Sequence, residues 1–242
     1  MRQYTLAALL ICGFLGFATA AQAQEGVRGY PFNLEPQSPA AQAQEGVRVR
    51  PVDFYISGFG GYSFPFKTDM EFLGVTSRNE TLDTSPSVGG KFGMWFTAPR
   101  KRLGIDIGVE FDVTNFSPNW PGNLDLNATY FGVHVLARLP MEVTQDLPNG
   151  RWFPYIGVGG GAQHLTAEVP GFTFVKGSHT APAFQGLWGA KMFITKHIAL
   201  FGEGKYTHAS HAIEVGVEPF MLPPLDLTVH ALHGVGGLSV HF

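Results

Sequence analysis

Residues 103–116 read LGIDIGVEFDVTNF. Ile105, Ile107, Val109, Phe111 and Val113 alternate with Asp106, Gly108, Glu110, Asp112 and Thr114. Successive side chains of a strand point to opposite faces, so this stretch predicts a strand with one apolar wall and one carboxylate-bearing wall. The same period of two returns in seven further runs, near 52–64, 85–96, 127–139, 152–165, 182–194, 198–208 and 225–242. In the last of these, Leu238, Val240 and Phe242 share one face, and His233, Ser239 and His241 share the other. The connections at 65–84, 117–126, 166–181 and 209–224 are mostly long. Those at 97–102 and 195–197 are short, and 140–151 is intermediate. An even strand count with long loops at one end and short turns at the other predicts an all-β fold, an eight-stranded antiparallel up-and-down transmembrane β-barrel.

Alternation alone does not say which wall faces outward. The composition decides. Charged residues make up 14% of the chain, against roughly 25% in soluble proteins. The polar walls collect Lys91, Asp106, Glu110, Asp112, Arg138, Lys191, Glu203 and Lys205. Spread over a water-facing surface this set is sparse. Inside a closed barrel it is balanced in sign, as buried charges must be. The apolar walls then face lipid, and closure leaves no unpaired backbone edge in the bilayer. Aromatic residues are expected at the two membrane interfaces. On this reading Trp95, Phe96, Trp152, Phe153, Phe193 and Phe242 gather on the periplasmic side, and Phe64, Phe66, Phe116, Trp120 and Tyr206 on the other.

The chain divides into three parts. Residues 1–23 read as a signal peptide: Arg2 leads, Leu6 to Phe17 is apolar, and Ala18-Thr19-Ala20 and Ala21-Gln22-Ala23 are cleavage candidates. Residues 24–50 are expected to be a disordered periplasmic leader, and AAQAQEGVR occurs at 20–28 and again at 40–48. The barrel takes 51–242. The single cysteine, Cys12, lies in the export segment. No thiol chemistry is therefore expected in the mature protein, and no cofactor. The net charge of −3 and the acidic balance of the long loops disfavour a nucleic-acid partner.

Several residues invite a chemical reading. His208 and Ser210 are two apart and share a strand face, so a base–nucleophile contact is feasible. His208/His211 and His230/His233 have HxxH spacing, but residues three apart on a strand face opposite ways, and no metal site is expected. Gly157, Gly159 and Gly161 lie inside a strand run with no helix after it, so they read as room inside the barrel and not as a phosphate loop. Arg100-Lys101-Arg102 reads as a solvated basic turn.

LFGEGKYTHAS (200–210) and HGVGGLSVHF (233–242) resemble the closing hairpin of OmpA/OmpW-like outer-membrane barrels, the porin-family or opacity-type proteins. YIGVGGGA (155–162) resembles their fifth strand. Gly237, Val240 and Phe242 look like the terminal assembly signal, although Val235 stands where the family has a polar residue. The resemblance implies an eight-stranded barrel in the outer membrane of a Gram-negative cell, with periplasmic termini. The implied partners are the barrel-assembly machinery and outer-membrane lipid with its lipopolysaccharide, besides an unidentified surface ligand. His208-x-Ser210 also resembles the site of lipid A deacylases, with histidine as base and serine as nucleophile. The match departs at His211, where that family has asparagine. The expected function is non-enzymatic, an envelope-structural or surface-interaction role exercised through the extracellular loops. A narrow or gated passage for small solutes and a lipid A esterase are the alternatives.

Overall fold

The computed structural model describes residues 50–66, 68–72, 75–80, 83–118, 125–168, 176–213, 216–217, 220–221 and 225–242. The expected signal peptide, and the leader apart from residue 50, lie outside the described residues, as does Trp120. In chain order the elements are β1 (Val52–Pro65), β2 (Thr68–Phe72), β3 (Val75–Glu80), β4 (Ser85–Phe96), a helical turn α1 (Arg100–Leu103), β5 (Asp106–Phe116) and β6 (Asp125–Arg138). They continue with β7 (Trp152–Glu168), β8 (Lys176–Phe193), β9 (Ile198–Ile213), β10 (Gly216–Val217), β11 (Phe220–Met221) and β12 (Leu225–His241).

The long strands β1, β4, β5, β6, β7, β8, β9 and β12 pair antiparallel in sequence order, and β12 returns to β1. The closing seam runs from Tyr55↔His241 to Pro65↔Ala231. The result is a closed eight-stranded barrel. The described strand runs agree with the alternation, with instructive differences. Residues 65–84 hold the β2–β3 hairpin, which adds to β12 at Glu71↔Asp226 and Met70↔Leu227. β7, β8 and β9 extend further than the alternation marks. There the sequence carries no sustained apolar wall, yet the backbone ladder continues through pairs such as Thr166↔Ser178 and Glu168↔Lys176. β5 starts at Asp106, because residues 100–103 form α1, closed by Gly104 at φ 74°.

An eight-stranded barrel is just wide enough for side chains to fill it. Its inner face solves the packing by setting a large residue across from a glycine. Tyr55 faces Gly93, Phe59 faces Gly89, Trp95 faces Gly108, Tyr155 faces Gly189 and Phe201 faces Gly237. A Cβ on Gly89 would lie 2.3 Å from the Phe59 ring, and one on Gly108 would lie 2.7 Å from Trp95. Gly157, Gly159 and Gly161 also offer no space: a Cβ would meet Leu136 at 2.3 Å, the Val133 carbonyl at 2.2 Å and the Phe131 carbonyl at 2.1 Å. Among the described glycines this requirement covers those on the crowded inner face, while Gly58, Gly186 and Gly202 meet nothing within 4 Å.

Candidate functional site

The barrel interior is polar at mid-height. β4 places Lys91, β5 places Glu110 and Asp112, and β9 places Glu203 and Lys205, all on inward positions and all buried. Lys91 Nζ donates to both Glu203 carboxylate oxygens at 2.5 Å and lies 3.3 Å from Glu110. Lys205 Nζ donates to Asp112 at 2.5 Å and to Thr114 at 3.0 Å. Two tyrosines complete the carboxylates: Tyr55 donates to Glu110 at 2.6 Å and Tyr155 to Glu203 at 2.8 Å. The Phe59 ring lies beneath Lys205 Nζ at 3.9 Å. Lys191 differs. Its Nζ donates to Ser239 at 3.1 Å and sits 4.0 Å over the Tyr55 ring, with no carboxylate among the described residues within ion-pair distance.

A second layer lies at the end carrying the short turns. Arg138 bridges Asp53 at 2.9 Å and Asp106 at 2.8 Å, while its guanidinium lies 4.6 Å from both the Trp95 and Phe153 rings. His241 meets Asp53 at 2.9 Å. Arg100 grips Asp106 with two nitrogens and donates to the Pro148 carbonyl at 2.7 Å. This corrects the reading of residues 100–102 as a solvated basic turn: α1 turns Arg100 inward, where it is buried, and leaves Lys101 and Arg102 exposed. Asp53 and Arg100 were not singled out by alternation, and they extend the interior charges without disturbing their balance.

The aromatic expectation also needs correction. Phe64, Phe66, Phe96, Trp152 and Phe242 are exposed on the outer wall. Trp95, Phe116, Phe153 and Phe193 are buried inside. Neighbours on a strand cannot share a face, so Trp95-Phe96 and Trp152-Phe153 each send one ring out and one in. Trp95, Phe153 and Phe193 form the floor around Arg138, while Phe116 packs edge-on against His233 toward the long-loop end.

Toward the long-loop end the interior becomes neutral and polar. His233 contacts Ser63 at 2.5 Å and Thr207 at 3.1 Å, and Gln185 donates to Thr207 at 2.8 Å. His211 lies 3.4 Å from Gln163. Ser85, Ser87, Gln163, Gln185 and His211 each keep a buried polar atom without a hydrogen-bond partner among the described residues.

The outer wall is the opposite of this. Ile56, Val88, Val135, Ile156, Val158 and Leu238 are each more than half exposed. Every charged barrel-strand side chain whose burial is described points inward. A water-soluble barrel has the reverse arrangement, and only an apolar solvent suits this wall. The model of the outer membrane protein beta-barrel domain matches residues 8–233. The chain belongs to that family. It is an outer-membrane protein.

No curated protein matches the chain. Among solved structures, this outer-membrane barrel is similar to OprG from Pseudomonas aeruginosa, at 16% identity and TM-score 0.47, covering 78% of this chain and 95% of that one. It is similar to Neisserial surface protein A at 13% identity and TM-score 0.42, covering 78% and 97%. Ail, the attachment invasion locus protein of Yersinia pestis, aligns at 10% identity and TM-score 0.40, covering 78% and 99%.

Within this family member the remaining sequence candidates fall as follows. His208 and Ser210 share the outer wall, His208 half-buried and Ser210 exposed. They do not bond to each other. Ser210 lies 3.4 Å from Thr228, and His208 lies 3.2 Å from His230. Glu214 and Glu218, the carboxylates nearest in sequence, lie outside the described residues. In the HxxH pairs His208 and His230 face outward, while His211 and His233 are buried inside. Among the described residues no group of three or more His, Cys, Asp or Glu is placed to hold a metal ion. Of the terminal signal residues, Gly237 pairs with Phe59 and Phe201, Val240 pairs with Ile56, and Phe242 stacks on Phe54 at 6.3 Å.

Proposed function

We propose that this outer-membrane barrel acts without catalysis, in an envelope-structural or surface-interaction role exercised through its extracellular loops. The observation that carries the reading is the filled cross-section at mid-height. Lys91 reaches from β4 to Glu203 on β9, and Lys205 reaches from β9 to Asp112 on β5. Side chains from separate strands therefore meet in the lumen, with tyrosine and phenylalanine rings packed between them. Packing of this kind favours a closed layer over an open channel. The esterase alternative lacks its first requirement, a histidine bonded to the serine it would activate.

Activity then belongs to the loop-bearing end. Its loops carry Asp69, Glu71, Glu80, Asp83, Asp125, Glu168, Glu214 and Glu218 against Lys67, Arg78 and Lys176. That balance favours neutral or cationic surface partners over polyanions. The test is planar-bilayer conductance of the purified full chain. Baseline current without discrete steps is expected. Steady opening that changes in Glu203→Ala or Asp106→Ala would replace this reading with a gated passage. Lipid A mass spectrometry of cells with and without the protein should give the same acyl pattern. A shift abolished by Ser210→Ala would restore the esterase.

A further inference from the structure

The sequence spacing His208-x-x-His211 and His230-x-x-His233 divides each pair between the two faces of the barrel. Strand register recombines them. His208 on β9 is the direct cross-strand partner of His230 on β12. Both rings lie on the outer wall, half-buried, with centroids 4.5 Å apart. Their Nδ1 atoms are 3.2 Å apart, and the Tyr206 hydroxyl lies 2.8 Å from His230 Nδ1. Both Nδ1 atoms therefore point into one shared space.

We propose that His208 and His230 chelate one late divalent transition-metal ion, of the copper, nickel or zinc class, at the outer rim of the barrel. The geometry is suitable before any ion arrives. Imidazole nitrogens bind such ions at about 2.0–2.1 Å. Two nitrogens held 3.2 Å apart would subtend an angle of about 100° at an ion at that distance. That lies between tetrahedral and square arrangements, both open to this metal class. Neutral imidazole is the ligand these ions prefer, and hard cations such as calcium would not choose it.

The position supports the same conclusion. Just beyond the pair on the same face, Ser210 and Thr228 are opposite each other, and His164 contacts Thr180. Phe184 flanks His208 on β8, but the wall turns polar on the loop-ward side at Ser210 and Thr228, from which water can supply the remaining coordination positions. The Tyr206 hydroxyl contacts the same Nδ1 of His230, so it must swing off that nitrogen when an ion binds. An anionic headgroup is a poorer occupant. It would want both rings protonated, and two imidazolium nitrogens cannot share a 3.2 Å contact. Two protein nitrogens with open positions make a site of modest affinity, responsive to the metal outside the cell, and not a closed structural centre.

The experiment uses the full chain folded in detergent micelles, with Cu(II) as the probe and electron paramagnetic resonance as the readout. A signal with two equivalent nitrogens is expected, with one ion per chain. His208→Ala and His230→Ala should each weaken binding at least tenfold and reduce the signal to a single nitrogen. His197→Ala, at an exposed histidine at the opposite end of the barrel, should bind as the parent does. Unboiled gel migration reports whether each variant folds, and His208→Asn and His230→Asn serve if an alanine variant does not. A parent signal with one nitrogen or none overturns the proposal. So does unchanged affinity in the folded His208/His230 double variant.

Discussion

At the scale of single residues, the interior charges set the energetic stakes. Glu203 accepts from Lys91 and Tyr155 and lies 3.7 Å from Lys205. Removing one member of a buried pair leaves its partner charged and desolvated, which costs about 3–5 kcal/mol. Glu203→Ala should lose that much in urea unfolding of the lipid-reconstituted protein. Replacing Lys91 and Glu203 together with methionine and leucine, with Glu110→Gln so that no carboxylate is stranded beside the lost ammonium, should lose far less. Equal losses would mean that water reaches the layer. The inward position of all eight charges read from alternation was legible, since period two assigns a face to every residue. Which lysine meets which carboxylate was not. Lys91 and Glu203 are 112 positions apart, and they meet only because the sheet closes. Arg100 was illegible for a different reason. It stands in a run of three basic residues, and only the turn of α1 separates the buried one from its exposed neighbours. The same urea series tests that separation. Arg100→Ala should destabilise by about 2–4 kcal/mol through loss of its grip on Asp106. Lys101→Ala should stay within about 0.5 kcal/mol of the parent. Comparable effects of the two would return Arg100 to the solvent.

At the scale of elements, the unit of construction is a large inward side chain on one strand and a glycine opposite it on the next. Trp95 and Gly108 are the clearest case. Any Cβ at Gly108 meets the indole at 2.7 Å and the Met94 carbonyl at 3.0 Å. Overpacking of this kind costs about 1–3 kcal/mol. Gly108→Val should therefore lower the urea midpoint, and Trp95→Ala in the same chain should recover part of the loss. A double-mutant cycle reads the coupling, and strictly additive losses would show that the two residues do not share the space. The glycine-rich runs were legible as small residues inside a barrel. Their individual partners were not, because register depends on how adjacent strands are aligned. The aromatic rings fail on the same ground. Adjacent rings such as Trp95 and Phe96 look alike to any count of interfacial aromatics, yet the pleat sends one to the lipid and the other to the floor of the lumen. The extensions of β7, β8 and β9 were hidden because a ladder needs no sustained apolar wall, and none runs through 166–168, 176–181 or 209–213.

At the scale of the whole molecule, everything above depends on the seam between β1 and β12. Until it forms, two strand edges are open and the charged layers face water, so closure and burial of the ion pairs are one event. Phe242 stands just beyond that seam. Its backbone N–H donates to the Phe54 carbonyl at 3.0 Å, and its ring stacks on Phe54 while remaining 55% exposed. One hydrogen bond and one exposed stack are a small share of the folded stability. Removal of Phe242 should therefore change the urea midpoint of refolded protein little, by about 1 kcal/mol. If the terminal residue acts instead as the handle by which assembly begins, the same deletion should cut the amount of heat-modifiable barrel in outer-membrane fractions several-fold. Phe54→Ala separates the two roles, since it removes the stack and leaves the terminus intact. That variant should assemble at the parent level. If Phe54→Ala and the deletion lower the yield equally, Phe242 works by packing the seam and not as a terminal signal, and the closing hairpin must then be recognised through other residues.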